Sequence, residues 1–127
     1  VPFSQYFCKG THMKESKVSQ LLSLIQMDPK DNTLHYMLGL EYLKAENYVE
    51  AVTELEKYLE TEEAQEGDVG SCLGKLAEAY ERTGRPEEAS RVYQRAILNA
   101  TFHKHADLRN ELSASLQALR KDEDAKG

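Results

Sequence analysis

The stretch from Leu34 to Ile97 constrains the fold most, because it carries one pattern twice. Leu38, Gly39, Tyr42, Tyr48, Ala51, Leu55 and Leu59 are followed, at an offset of about 38 residues, by Leu76, Ala77, Tyr80, Pro86, Ala89, Tyr93 and Ile97. In the first copy Leu34, Met37, Leu38, Glu41, Tyr42 and Ala45 fall at the i, i+3, i+4, i+7, i+8 spacing of one helical stripe. A short break at Glu46 and Asn47 precedes a second stripe of Tyr48, Ala51, Val52, Leu55 and Leu59. Each copy is therefore a helical pair with two apolar faces. Only one face can be buried within the pair, so the copies must stack on each other.

The second pair is expected to start near Asp68, an N-cap candidate after Gly67, with Val69, Cys72, Leu73, Leu76, Ala77 and Tyr80 on one face. Thr83-Gly84-Arg85-Pro86-Glu87-Glu88 then ends one helix and starts another. Glycine takes the left-handed conformation that closes a helix, proline suits a first helical turn, and the glutamates complement the new helix dipole. Ala89, Val92, Tyr93, Ala96 and Ile97 carry the partner stripe.

The flanks supply two more helices. Lys14 to Met27 places Val18, Leu21, Leu22 and Ile25 on one face and ends at Asp28-Pro29, with Asp31 or Asn32 capping the next helix. Phe102 to Arg120 puts Leu108, Leu112, Leu116 and Leu119 on one stripe and is expected to cap the second pair. The expected organisation is a tail over residues 1–13, one domain over 14–121 with repeats at about 32–66 and 70–103 between capping helices at about 14–27 and 102–120, and a frayed end at 122–127. The tail is read as vector-derived because Gly10-Thr11-His12-Met13 looks like a cloning junction; alternatively it is a fused peptide whose Phe3, Tyr6 and Phe7 anchor in a groove. Between the copies, Glu60 to Gly67 adds about one helical turn, which predicts that the helix from Tyr48 reaches Glu62 or Glu63. The acidic run is a solvated helix end or a docking surface for a basic partner.

Composition excludes several functions. A net charge of −6 disfavours nucleic acid, whose phosphates need clustered Lys and Arg. No apolar run approaches the roughly 20 residues that cross a bilayer, and no secretory leader is expected, so the expectation is a soluble cytoplasmic protein. No phosphate-cradling glycine loop, nucleophile elbow or His-Glu-x-x-His pattern occurs, and no catalytic residue, metal site or cofactor is expected. His103 and His105 stand two apart, which on a helix puts them on different faces. Cys72 occupies a core position, where a cysteine acts as a small hydrophobe.

The doubled pattern resembles the tetratricopeptide repeat. The second copy shows that family's large residue, Leu-Gly position, tyrosine, tight turn, alanine, aromatic and alanine as Leu73, Leu76-Ala77, Tyr80, Gly84, Ala89, Tyr93 and Ala96. The first copy shows Leu38-Gly39, Tyr42, Tyr48, Ala51 and Leu55, with His35 in place of the large aromatic and Tyr58 in place of the second alanine, which normally lets repeats approach closely. The resemblance implies an all-α fold of about six helices, antiparallel hairpins stacked as a short right-handed superhelix. It also implies a non-catalytic protein–protein interaction module, an adaptor or scaffold that binds a partner segment in a concave groove lined by the first helix of each pair.

Carried over position by position, the groove comprises Thr33, Tyr36, Met37, Leu40, Leu43 and Lys44 from the first copy and Ser71, Gly74, Lys75, Glu78, Glu81 and Arg82 from the second. The version that grips chaperone-tail carboxylates needs a Lys and an Asn where this chain has Tyr36 and Leu40, so that clamp is missing. Tyr36, Leu40 and Leu43 form an additional apolar stripe opposite Leu34, Leu38 and Tyr42, whereas the matching Gly74, Glu78 and Glu81 can face water. The extra stripe is either core beneath the Lys14–Met27 helix or an open apolar floor. With Lys44, Lys75 and Arg82 as a basic rim, that floor suits an acidic amphipathic segment. Self-association of the chain through the same surface is the alternative.

Overall fold

The computed structural model describes the backbone of residues 9–126 and the side chains of residues 17–126. Residues 1–8, most of the expected tail, lie outside them. Seven helices follow one another, with no strand among the described residues: α1 (Lys9–Met27), α2 (Asn32–Lys44), α3 (Tyr48–Leu59), α4 (Glu62–Gln65), α5 (Gly70–Arg82), α6 (Pro86–Phe102) and α7 (Ala106–Lys126). Apart from the single-turn α4, each helix packs chiefly on its neighbours in the chain, and α5 also touches α2 and α7. This is the stacked all-helical architecture that the doubled pattern demands.

One turn geometry closes three hairpins. Glu46, Gly84 and Lys104 all have left-handed backbones, at φ 62°, 75° and 63°. The following amide reaches back to the last turn each time: Asn47 to the Tyr42 carbonyl at 2.8 Å, Arg85 to Tyr80 at 2.9 Å and His105 to Ala100 at 2.8 Å. The left-handed residue's own amide bonds one carbonyl further on, at Leu43, Glu81 and Thr101. Together these bonds satisfy carbonyls that a helix end leaves orphaned. Only Gly84 adopts the conformation free of steric strain.

Five boundaries depart from the sequence reading. α3 stops at Leu59 instead of running to Glu62 or Glu63, because Thr61 turns extended and its hydroxyl donates to the Tyr58 carbonyl at 2.8 Å while accepting from the Ala64 amide at 3.3 Å. Such a side chain offers the backbone an alternative to continuing the helix, and the result is the separate α4, the seventh helix where about six were expected. Asp68 does not cap α5; its carboxylate pairs with His105, and the N-cap is Val69 without a side-chain bond. The last helix starts at Ala106 rather than Phe102, because α6 runs on to the Lys104 turn. It continues to Lys126 through the expected frayed end, with a Glu123–Lys126 pair at 3.7 Å one turn apart. At the other end α1 begins at Lys9, ahead of the expected Lys14.

The capping expectations at Asp31, Gly84 and Pro86 hold. Asp31 accepts from the Thr33 amide at 3.1 Å, and Pro86 stands in the first turn of α6. The core divides in two. A large cluster joins α3 to α7 through residues such as Leu55, Leu73, Leu76, Tyr80, Tyr93, Leu112 and Leu116. A smaller one joins Leu21 of α1 to Leu34 and Leu38 of α2, with Val18, Ile25 and Tyr42 packed around it.

The turns yield a signed prediction. A non-glycine residue in the left-handed region costs about 1–2 kcal/mol, partly offset by the about 0.4–1 kcal/mol entropic cost of a glycine in the unfolded chain. Glu46→Gly and Lys104→Gly should each raise the unfolding free energy by about 0.5–1 kcal/mol, and Gly84→Ala should lower it by about as much. Urea midpoints at unchanged slope read the effect, and a destabilising Glu46→Gly would contradict it.

Candidate functional site

The first helices of the two pairs, α2 and α5, carry the residues expected to line a groove, and α7 packs beside α5. Between α5 and α7 lies a depression of about 170 Å³. Ser71, Gly74, Lys75 and Glu78 line it from α5, Glu111 and Ser115 from α7, with Tyr93 of α6 at its base. Leu108 and Leu112 complete the apolar floor. Gly74 makes room there: a Cβ would stand 2.8 Å from Leu112 Cδ2, so the end of the leucine side chain would have to shift. One turn earlier, a Cβ on Gly70 would meet Leu108 at 3.2 Å. Two glycines one turn apart on α5 thus let α7 lie close.

The equivalent step between the two copies is built from large residues. Tyr36 and Tyr58, at the positions matching Gly74 and Ala96, stack with ring centroids 5.2 Å apart and planes at 23°. Both rings pack against the large core cluster. The aromatic that replaces the family's small residue at Tyr58 is therefore matched by a second aromatic facing it, and the pair fills the step between the copies as a wedge.

This placement decides between the two readings of the extra stripe on α2, and matches neither as stated. α1 covers Leu34, Leu38 and Tyr42, while Tyr36 and Leu43 face the large cluster formed by α3 and α5. α2 is covered on both sides. Tyr36 and Leu43 are half-buried supports instead of an open floor, and Leu40 is half-buried beside them. Met37, 45% exposed, is the apolar residue that α2 offers to solvent.

The basic residues stand apart from one another. Lys44 is exposed and bonded to Glu41 at 3.1 Å, and the Arg82 guanidinium lies 5.9 Å from the Tyr48 ring centroid. Lys75 is exposed at the α5–α7 depression, with Glu78 half-buried beside it. Of the expected groove residues the structure brings Ser71, Gly74, Lys75 and Glu78 into one depression; Met37, Leu40 and Lys44 remain on α2. Leu108, Glu111 and Ser115 were missed by the sequence reading, because the leucine register of α7 does not repeat the earlier pattern. The pair of glycines on one face of α5 was the available signal.

Burial governs the shifted titratable groups of the core. Burial pushes the Cys72 thiol from 9.0 up to about 12, so the nucleophilic thiolate is suppressed. Burial, followed by the hydrogen bond to the Glu56 carboxylate, moves Tyr80 from 10.0 up to about 12. Tyr93 is raised likewise by burial and by its bond to Glu81. No cluster of three His, Cys, Asp or Glu suited to a metal ion occurs among the described residues.

Stacked hairpins with a shallow, mixed-charge depression between α5 and α7 place the chain in the class of helical-repeat folds. Residues 33–65 and 71–100 each match the tetratricopeptide repeat, and the chain belongs to that family with two repeats. No curated protein matches the chain.

Two predictions follow from the packing. Tyr36→Ser should lower stability by about 2–4 kcal/mol, as truncation of a packed aromatic does, and Tyr58→Ser should add less than its own single effect because the two rings share one contact. Additive losses in the double variant would refute the wedge. The second concerns alkaline pH. The unfolded chain releases the Cys72 and Tyr80 protons from about 9.0 and 10.0, whereas the folded chain holds both to about 12. Their contribution is complete below pH 9 and is lost as pH rises from there to 12. Urea midpoints between pH 8 and pH 12 should fall less steeply in a Cys72→Ala/Tyr80→Phe variant than in the wild type.

Proposed function

We propose that this chain is a non-catalytic adaptor that binds a partner segment along α2, α5 and α7. Tetratricopeptide repeats mediate protein–protein interaction, and the observation that carries the reading is the depression between α5 and α7. It has an apolar floor of Leu108 and Leu112, no side chain at Gly74, and Lys75 at its edge. At about 170 Å³ it is smaller than the roughly 300–1,000 Å³ of small-molecule sites, and fits one or two side chains of a bound segment. Met37, Leu40 and Lys44 extend the contact along α2, and Glu78 and Arg82 along α5. The partner is a protein or peptide segment that pairs an apolar face with acidic residues, the charge that Lys44, Lys75 and Arg82 attract. No described helix is long and apolar enough to cross a membrane.

Selection of a random peptide library on the intact chain tests this. Enriched peptides should carry acidic residues beside an apolar pair. Lys75→Glu and Met37→Asp, both at exposed positions, should each weaken the selected peptides about tenfold or more, equivalent to about 1.4 kcal/mol, without altering the urea midpoint. Peptides that bind both variants as tightly as the wild type would overturn the assignment of this surface.

A further inference from the structure

α5 separates two surfaces. Gly74, Lys75 and Glu78 face the α7 side, whereas Val69 and Leu73, about half a revolution away at 100° per residue, floor a wider trough of about 840 Å³ between α4 and α6. The trough depends on α4, which exists because the copies are spaced by about 38 residues instead of the family's usual 34. Buried Ala64 of α4 completes the floor. Along its α6 edge stand Leu98 and Phe102, one turn apart and 70% and 79% exposed. These are large apolar side chains left mostly open to solvent, the Phe102 ring meeting only the edge of the adjacent His103 at 5.0 Å between centroids among the described aromatic contacts.

The two edges carry opposite charge. Arg95 lines the trough on the α6 ridge, and Arg91, one turn earlier on the same stripe, lies at the cleft against Glu123 and Asp124 of α7; both are exposed and neither is in an ion pair with a described residue. Across the trough Glu66 is exposed and likewise unpaired with any described residue, and Glu62 stands exposed one turn before it on α4. An acidic partner helix would meet Arg91 and Arg95 but be repelled by the glutamates, and a basic one the reverse. A surface that carries both signs beside an apolar ridge satisfies both edges, and this face is itself such a surface. A two-fold axis requires that self-complementarity, since residue i of one subunit then meets j of the other and j meets i.

We propose that this face binds a second copy of the chain, α6 against α6 in antiparallel, with the Leu98–Phe102 ridge of each copy seated in the trough of the other and Arg95 of each meeting the other's Glu66. From Arg91 to Phe102 the contact runs about 17 Å along the helix. A contact confined to three turns of one helix belongs with the small, weak interfaces of under about 1,200 Å² in total, and the dimer is expected to have a Kd on the order of 10–100 μM. The groove side of α5 is left free, and the two surfaces can be tested separately.

The test is sedimentation of the full chain, with reductant present so that Cys8 forms no link, across a concentration range of about 100-fold around that Kd. The wild type should pass from monomer to dimer, and Lys75→Glu should not change this. Leu98→Ser/Phe102→Ser should raise the Kd more than tenfold with unchanged helicity. Arg95→Glu and Glu66→Arg should each do the same, and an equimolar mixture of these two should dimerise again, because in the mixed pair one contact is charge-reversed, the other is native, and both are attractive. If the serine variant fails to fold, the charge-reversed pair decides alone. A wild type that stays monomeric overturns the proposal and leaves the trough to a different chain. A dimer indifferent to all four substitutions, or a mixture that does not recover, overturns it as well.

Discussion

A helical hairpin has two broad apolar faces and buries only one of them against itself. Everything in this chain follows from covering the other. α1 closes the outer side of α2, the Tyr36–Tyr58 stack joins the first pair to the second, and α7 lies along α5 and α6. The means of closure differ from step to step. Two aromatics fill the gap between the repeats, while two glycines allow direct approach at the next step. Either solution gives a packed interior, because what the interface needs is matched volume across the step and not a particular residue.

The fold was legible to the extent that it is written in local spacing. Helical stripes, the Gly84 turn, the Pro86 start and the buried position of Cys72 are all set by residues within one or two turns of each other. The features that sequence misplaced are set from far away or by competing side chains. Thr61 breaks a stripe whose periodicity would have carried α3 further. Asn99, thirty residues downstream, accepts from the Val69 amide and donates to the Gly67 carbonyl, each at 3.0 Å, and so does the capping that Asp68 was expected to do. No periodicity announces either contact.

The site was less legible for the same reason. Family positions located Gly74, Lys75 and Glu78 on the surface of α5, but the wall that turns this surface into a depression belongs to α7. The apolar stripe of Tyr36 and Leu43, which the sequence left open between core and floor, illustrates the converse case. A helix apolar on two sides looks like an open binding face when its neighbours are unknown, and becomes ordinary interior once α1 and α5 occupy the two sides.

The Asn99 bridge also bears on the order in which the chain assembles. The backbone between Gly67 and Val69 finds its partners on α6, and Asp68 finds His105 in the turn beyond it. The start of α5 is therefore defined only after the chain has travelled through α6 and returned. Contacts at that sequence separation carry a loop-closure cost that must be met before they reward it. The local hairpin of α5 and α6 can form first at small entropic expense, but its leading edge stays loose until the α6 end is helical. At the opposite end of the stack α1 is held by the smaller of the two apolar clusters.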